Sequence, residues 1–422
     1  VRYLRVALLY GFGAALVVAG LYALGLFHPL DLALWNFLGR ASNPPSPRRS
    51  AWQCLLIFFL GLSIAWTTID IPRRSLKIVV AVGALLQMIS IAWVLNFYRV
   101  FFSPFAGMLA VALAFGAGFV YSRSEAGRRK RIVRLMFNER ISKKTFYTLV
   151  NSDAPLNFEG EMREATVIVC EIFNHDELMD NLPVADYVAM TNSFLRSGAD
   201  FLVEKGGYLD ECDGESLRVI FGTPVLDKDH AAKACEAGLE LVRRLDEVNR
   251  ECEMLWHERF DFRIGINSGE MVTAAYGSRR FGTFSVAGEC VEFARRLCAA
   301  NVFYGSKILL GSGTFELASA SIDVRPIELI RGRSDRSREE VYELLALKNV
   351  LSEEELHRRD LFWKGVVCYR EQRWNEALDH FHSALTLNGA DAPLAFYIRR
   401  IEHLRTGTPA LEWESARFLR FT

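Results

Sequence analysis

The sequence predicts an α-helical membrane region, an α+β soluble unit and a short helical hairpin, in that order. Three observations carry this expectation. Residues 1–122 hold four apolar runs and very few acids. Residues 161–347 alternate short β-branched runs with segments of helical spacing. Residues 206–222, GGYLDECDGESLRVIFG, read as a β-hairpin with Asp213-Gly214 at the bend, a pair that tolerates the positive φ angles of a tight primed turn. Asp210, Glu211, Asp213 and Glu215 crowd four carboxylates around that bend. A solvated tip and a metal or nucleotide site both fit these residues, and the flanks must decide.

The chain has 422 residues, which suits two or three domains. Lys plus Arg and Asp plus Glu stand at 50 each, so net charge identifies no partner, and no nucleic-acid ligand is expected. None of the eight cysteines forms a CxxC pair and no histidine cluster stands at zinc spacing, which argues against a structural zinc or a disulfide framework. Seven of the eight lie after residue 122, which fits a reducing cytosol.

The apolar runs are residues 6–27, 51–71, 78–97 and 103–121. Each approaches the ~20 residues that cross a bilayer as a helix. The first is read as an anchor rather than a cleaved signal, because no clear small-residue cleavage site follows it. Arg2 and Arg5, then Arg73, Arg74 and Lys77, then Arg123 and the run Arg128–Arg131 flank the spans, which predicts cytoplasmic termini and a cytoplasmic soluble unit at the cell membrane. No span carries an acid or base at mid-depth, where a transporter usually needs polar groups. The spans are therefore expected to be an anchor or sensor in the lipid bilayer.

Residues 123–160 form a connector, with Ile132, Leu135, Met136 and Phe137 as a short helical stripe among basic residues that would also meet anionic lipid. A plain juxtamembrane helix and a relay to the soluble unit both fit it. Then residues 165–172 (ATVIVCEI) read as a buried strand, 183–204 as a helix, 206–222 as the hairpin, and 227–252 as a long helix. A strand over 260–266 is expected to end at Asn267-Ser268-Gly269, with further strands at 271–276 and 284–287. Gly288 opens a helix through Ala300, and short strands at 307–310, 324–330 and 341–346 complete the unit. Strand, helix, hairpin, helix, strand is the order of a ferredoxin-like α+β sheet with helices on one face.

These residues resemble the class III nucleotide cyclase family, the adenylate and guanylate cyclase catalytic domain. The likeness runs over about 163–345. Its anchors are VIVCEI (167–172), the hairpin, DHAAKACEAGLEL (229–241), FRIGINSGEMV (262–272) and SVAGECVEFARRL (285–297). LFHPLDLALWNFLGR at 26–40 resembles the beginning of a CHASE-type sensory region, here cut to a short loop. Residues 361–387, with Gly365, Ala377, Phe381 and Ala384 at the repeat's spacing, resemble one tetratricopeptide-like helix pair within 352–405. One repeat cannot stand alone, so it is expected to pack on the cyclase unit or on a partner. Residues 406–422 are left as a tail.

The resemblance implies conversion of a purine nucleoside triphosphate to a 3′,5′-cyclic nucleotide and pyrophosphate, in a homodimer with two Mg²⁺ or Mn²⁺ ions. The family's two metal-holding aspartates match Glu171 and Glu215, both one methylene longer. Backbone groups from Ile172 and Phe173 onward match phosphate-holding positions. Purine-reading positions match Glu211 and Ser285. A glutamate accepts from the N1–H and amine of guanine, so Glu211 points to GTP rather than ATP. Of the family's helix-borne Asn and Arg that steady the transition state, Arg296 matches the arginine and Glu292 replaces the asparagine. A carboxylate there repels a polyphosphate, at ~5 Å and an effective dielectric of ~20 by about 3 kcal/mol. Arg331 and Arg333 match a basic region that contacts terminal phosphates, with a solvated loop as the other reading. The alternative to an enzyme is a cyclase-fold dimerisation and signalling module without turnover.

Overall fold

An uninterrupted apolar stretch satisfies its own backbone groups only as a helix, and every element described before residue 124 is a helix. The structure, a computed structural model, describes residues 2–38, 51–71, 74–98, 100–123, 125–137, 139–152, 157–277, 282–331, 338–385, 391–406 and 416–417. It divides into two units, Val1–Leu135 and Met136–Thr422.

In the first unit, α1 (Arg2–Ala23), α2 (His28–Leu38), α3 (Ala51–Asp70), α4 (Arg74–Phe97) and α5 (Pro104–Arg123) are followed by α6 (Glu125–Phe137), which runs across the boundary. Three stretches, Ala51–Ile69, Ser75–Leu95 and Pro104–Ser122, are long and apolar enough to cross a membrane. The expected first span is corrected. Its helix stops at Ala23, the chain turns at Gly25, and α2 leaves at 78°. A fourth crossing exists only if that bent pair counts as one. Part of the expected 28–50 loop is thus helix. A Cβ on Gly11 would lie 2.8 Å from the Leu62 Cα, so α1 and α3 meet backbone to backbone, the small-residue contact that packs helices in lipid.

The second unit opens with α7 (Lys143–Asn151), whose first turn is capped by the Ser142 hydroxyl accepting from the Thr145 amide at 3.1 Å. There follow β1 (Glu161–Ile172), α8 (His175–Asn181), α9 (Val184–Leu195), a π-helical turn (Arg196–Asp200), α10 (Phe201–Glu204), β2 (Tyr208–Cys212), β3 (Ser216–Phe221), α11 (His230–Trp256), β4 (Phe262–Gly277), β5 (Gly282–Ala287), α12 (Glu289–Tyr304), β6 (Ile308–Gly311), α13 (Ser312–Ala318), β7 (Ile322–Arg331) and β8 (Arg338–Leu347). The tail carries α14 (Glu353–Arg370), α15 (Trp374–Leu385), α16 (Ala392–Thr406) and β9 (Ala416–Arg417). The sheet runs β2-β3-β1-β4-β6-β8-β7-β9, with β5 paired to β4.

Two expectations change. Asn267-Ser268-Gly269 does not end a strand; β4 runs straight through it, because β1 pairs with β4 from Glu161↔Thr273 to Ile172↔Phe262. The helices also cover both faces. Ala165–Cys170 and Ile308–Gly311 are continuously buried, the mark of strands covered on two sides. Ile308 and Leu310 join the core under α9–α11, whereas Leu309 joins the core under α12 and the tail helices.

The tail does pack on the sheet. Phe362, Val366, Tyr369, Phe381 and Tyr397 meet Phe293, Leu297, Ile327 and Val341. Three helices do this rather than one pair. Ion pairs lace the contact. Arg325 on β7 donates to Glu343 at 2.6 Å and to both oxygens of Asp391 at 2.6 and 3.0 Å. Arg400 of α16 pairs with Glu328 at 2.7 Å, and Arg359 of α14 with Asp323 at 2.7 Å.

A buried polar chain joins the other face. His230 Nδ1 lies 2.7 Å from the Thr166 hydroxyl, which meets Ser268 at 2.7 Å, which meets Thr314 at 2.9 Å. Burial lowers the His230 pKa from 6.5, against the opposing pull of Glu164, Asp227 and Asp229. The unfolded histidine therefore binds protons first, and stability present above pH 6.5 is lost as the pH falls towards the depressed value. The thermal midpoint of the wild type should drop between pH 7.5 and 5.5 by more than that of His230→Gln. Parallel curves would refute this.

Candidate functional site

The site grows from the end of β1. Glu171 stands opposite Ser216 of β3 and Arg263 of β4. Its neighbour in the hairpin turn is Glu215, whose carbonyl accepts from the Ile172 amide at 2.9 Å. Glu215 thus stands across from Ile172, one residue on from the Glu171–Ser216 pair. The bend differs from the expected primed turn: neither Asp213 nor Gly214 takes a positive φ. Three residues, not two, link the strands, and the Asp213 carboxylate closes them by accepting from the amides of Glu215 at 3.0 Å and Ser216 at 2.7 Å.

Each glutamate already has a basic neighbour. Arg295 Nε lies 3.4 Å from the Glu171 carboxylate, and His175 Nε2 lies 3.3 Å from that of Glu215. Burial pushes the Glu171 carboxyl above its ordinary value; Arg295 opposes this, while Asp213 and Glu211 add to it by repulsion. A cation placed among these carboxylates relieves that repulsion. Hard carboxylate oxygens suit magnesium or manganese in kind. Among the described residues no three His, Cys, Asp or Glu side chains converge as metal ligands. Magnesium is commonly held by one or two carboxylates with substrate phosphates completing its shell, so the oxygen donors of Glu171 and Glu215 suit it in kind.

The connector ties the strands that carry the purine-reading candidates, β2 with Glu211 and β5 with Ser285. A bulge between Leu209 and Glu211 makes Asp210 an extra residue in β2. Asp210 and Glu211 then both face Arg218 of β3, which donates Nε to Asp210 and Nη1 to Glu211, each at 2.7 Å. Arg140 donates to the Asp210 carbonyl at 3.1 Å and to the Thr283 hydroxyl at 3.0 Å, tying β2 to β5 two residues before Ser285. Phe137 packs edge-on to the Tyr208 ring at 5.7 Å and tilted against that of Phe284 at 4.9 Å.

Other expected residues are arranged differently. The amides of Ile172 and Phe173 are not free for a phosphate: they donate to the carbonyls of Glu215 and Asp261, at 2.9 and 2.8 Å. Strand pairing and the β1–α8 turn claim them. Arg296 turns to Glu289 and lies over the Phe293 ring at 5.4 Å, while Glu292 is exposed in the first turn of α12. Within one chain Arg295, not Arg296, reaches Glu171. Arg331 ends β7, with its side chain outside the described residues, and Arg333 lies outside them altogether.

Sequence reasoning missed Arg295, Arg218, Arg140 and the side chain of His175, whose backbone alone it places among the phosphate-holding groups. Arg218 left a signal, as the one charge in the strand SLRVIF. Arg295 left another, one turn beyond Glu292 on the same helix face. Residues 159–344 match the family model described as the adenylate and guanylate cyclase catalytic domain. Adenylate cyclase 1 of Rhizobium meliloti is 22% identical over 185 residues, 44% of this chain and 28% of that protein. The terminal-differentiation specific adenylate cyclase of Dictyostelium discoideum is 23% identical over 249 residues, 58% of this chain and 12% of that protein. The chain therefore spans less than a third of either relative. The crystal structure of the guanylyl cyclase Cya2 is similar with a TM-score of 0.42 and 24% identity, over 46% of this chain and 97% of that one.

Proposed function

We propose that the segment 159–344 converts a purine nucleoside triphosphate, GTP before ATP, to a 3′,5′-cyclic nucleotide and pyrophosphate. The observation that carries this is the placement of Glu171 near the end of β1 and of Glu215 in the adjoining β2–β3 turn, inside the stretch matched by the cyclase family model. Glu171 and Glu215 would hold the divalent ions, which when bound supply activation of the ribose hydroxyl and screening of the triphosphate charge. Glu211 accepts from the guanine edge, with Ser285 of β5 as the second base-reading residue. Arg296 and Glu292 belong to the second half of a site completed by another copy of the chain, and Arg331 and Arg333 meet the terminal phosphates. The three apolar helices anchor the unit at a membrane, with the soluble part on the cytoplasmic side. A CHASE-like sensory reading of 26–40 and a tetratricopeptide-like reading of the tail go with this proposal.

The test is the full chain in nanodiscs with GTP or ATP and Mn²⁺, with cyclic product measured by mass spectrometry. Product from GTP is expected, and chelation should abolish it. Glu211→Lys combined with Ser285→Asp should move the preference towards ATP, because a lysine donates to the unprotonated N1 of adenine. Persistent GTP preference in that variant would remove the purine assignment. Absence of cyclic product at every protein concentration would remove the enzyme reading. A module that binds nucleotide without turnover is the second reading, favoured by the Arg295 and His175 contacts that already engage both carboxylates.

A further inference from the structure

We propose that Arg218 is a purine-specificity residue, donating from Nη2 to the O6 oxygen of a guanine whose N1–H and amine are accepted by Glu211. This rests on the assignment of Glu211 as the base-reading residue. Three observations lead to it. First, the guanidinium is fixed. Its Nε is bound to Asp210, whose side chain is fully buried, and its Nη1 to Glu211, both at 2.7 Å. Second, these contacts engage Nε and Nη1 and leave Nη2, which lies between them, unused. Arg218 presents five donors in one plane, and among the described residues Nη2 has no partner. The side chain is 24% exposed, so that nitrogen has access to a ligand. Third, Asp210 Oδ1 is buried with no partner at all. A carboxylate kept in that state is accounted for by its holding an arginine in place.

The chemistry matches one base. Guanine shows an acceptor at O6 next to donors at N1 and the amine. A carboxylate bonded edge-on to an arginine shows the complementary row of donor, acceptor and acceptor. Adenine shows a donor at its exocyclic amine and an acceptor at N1, which meets that row with like facing like. The Arg218 donor is charged, so its bond to O6 belongs to the stronger class. The bulge at Asp210 makes the arrangement possible, since without the extra residue only one of the two acids could address Arg218.

Equilibrium binding by the full chain in nanodiscs tests this without requiring turnover. A fluorescent GTP analogue is displaced by GTP, by ITP, which lacks the amine, and by 6-thio-GTP, which replaces O6 with a poor acceptor. The wild type should bind GTP about tenfold more tightly than 6-thio-GTP, the ratio one charge-assisted hydrogen bond gives. In Arg218→Met that ratio should fall to near one, while the GTP-to-ITP ratio, which reports Glu211, persists. Arg218→Lys, which keeps a donor, should retain part of the first ratio. Equal wild-type affinity for GTP and 6-thio-GTP overturns the proposal, and needs no variant to fold. Loss of both ratios together in Arg218→Met also overturns it, since Arg218 would then act only by positioning Glu211. If the wild type shows no GTP-to-ITP preference, the assignment of Glu211 fails and this proposal fails with it.

Discussion

Arg325→Met should destabilise the soluble unit by about 3–5 kcal/mol, the cost of removing one partner from a buried ion cluster. The guanidinium fills the space between Glu343 and Asp391 and lies 4.6 Å above the Phe362 ring. Burial already pushes the Glu343 carboxyl upward, and Arg325 is the main opposing influence. Removing the arginine strands two carboxylates in an apolar seam. The denaturant midpoint should fall, and hydrogen exchange should speed up first in β7, β8 and α16, which the cluster joins. Adding Asp391→Leu and Glu343→Leu should recover part of the loss, because a buried ion cluster can be exchanged for apolar packing at little net cost. A loss under about 1 kcal/mol would mean that the cluster is open to water.

Gly265→Ala should be worse for function. A Cβ there would lie 2.1 Å from the Ala294 carbonyl and 2.4 Å from the Cys298 amide, both backbone atoms of α12. No side-chain rotation relieves such a clash. The helix must move, against a hydrogen bond from Asn301 to the Ile264 carbonyl at 2.9 Å and another from Asn267 to the Cys290 carbonyl at 3.1 Å. Overpacking of this kind costs about 1–3 kcal/mol or more. Glu292, Arg295 and Arg296 travel with α12, so nucleotide affinity should fall together with the melting temperature. A variant that binds and melts like the wild type would show that the helix adapts without displacement.

Much of this was legible in the amino-acid order. The run at 165–172 and the long stripe at 227–252 have clean periods, and β1 and α11 stand there. The positions of Glu171 and Glu215 followed from the order of strand and hairpin. Asn267-Ser268-Gly269 misled because its residue types belong to turns. In the fold Asn267 instead bonds the Cys290 carbonyl and Ser268 bonds Thr314, which are partners far away in sequence. The same reason hid Arg295 and His175, whose contacts with Glu171 and Glu215 bridge separate elements. Helices on a second face were invisible because the apolar stripe of the tail does not name the surface it covers.

The extra residue at Asp210 has a consequence for how such a chain can change. Side chains alternate along a strand, so deleting one residue there would turn Glu211 to the other side without altering any chemical group. If Glu211 reads the base as proposed, base preference in this hairpin is encoded in strand register as well as in residue type. A length change of a single residue could redirect it as effectively as a substitution, and a comparison that scores only aligned residue identities would overlook the event.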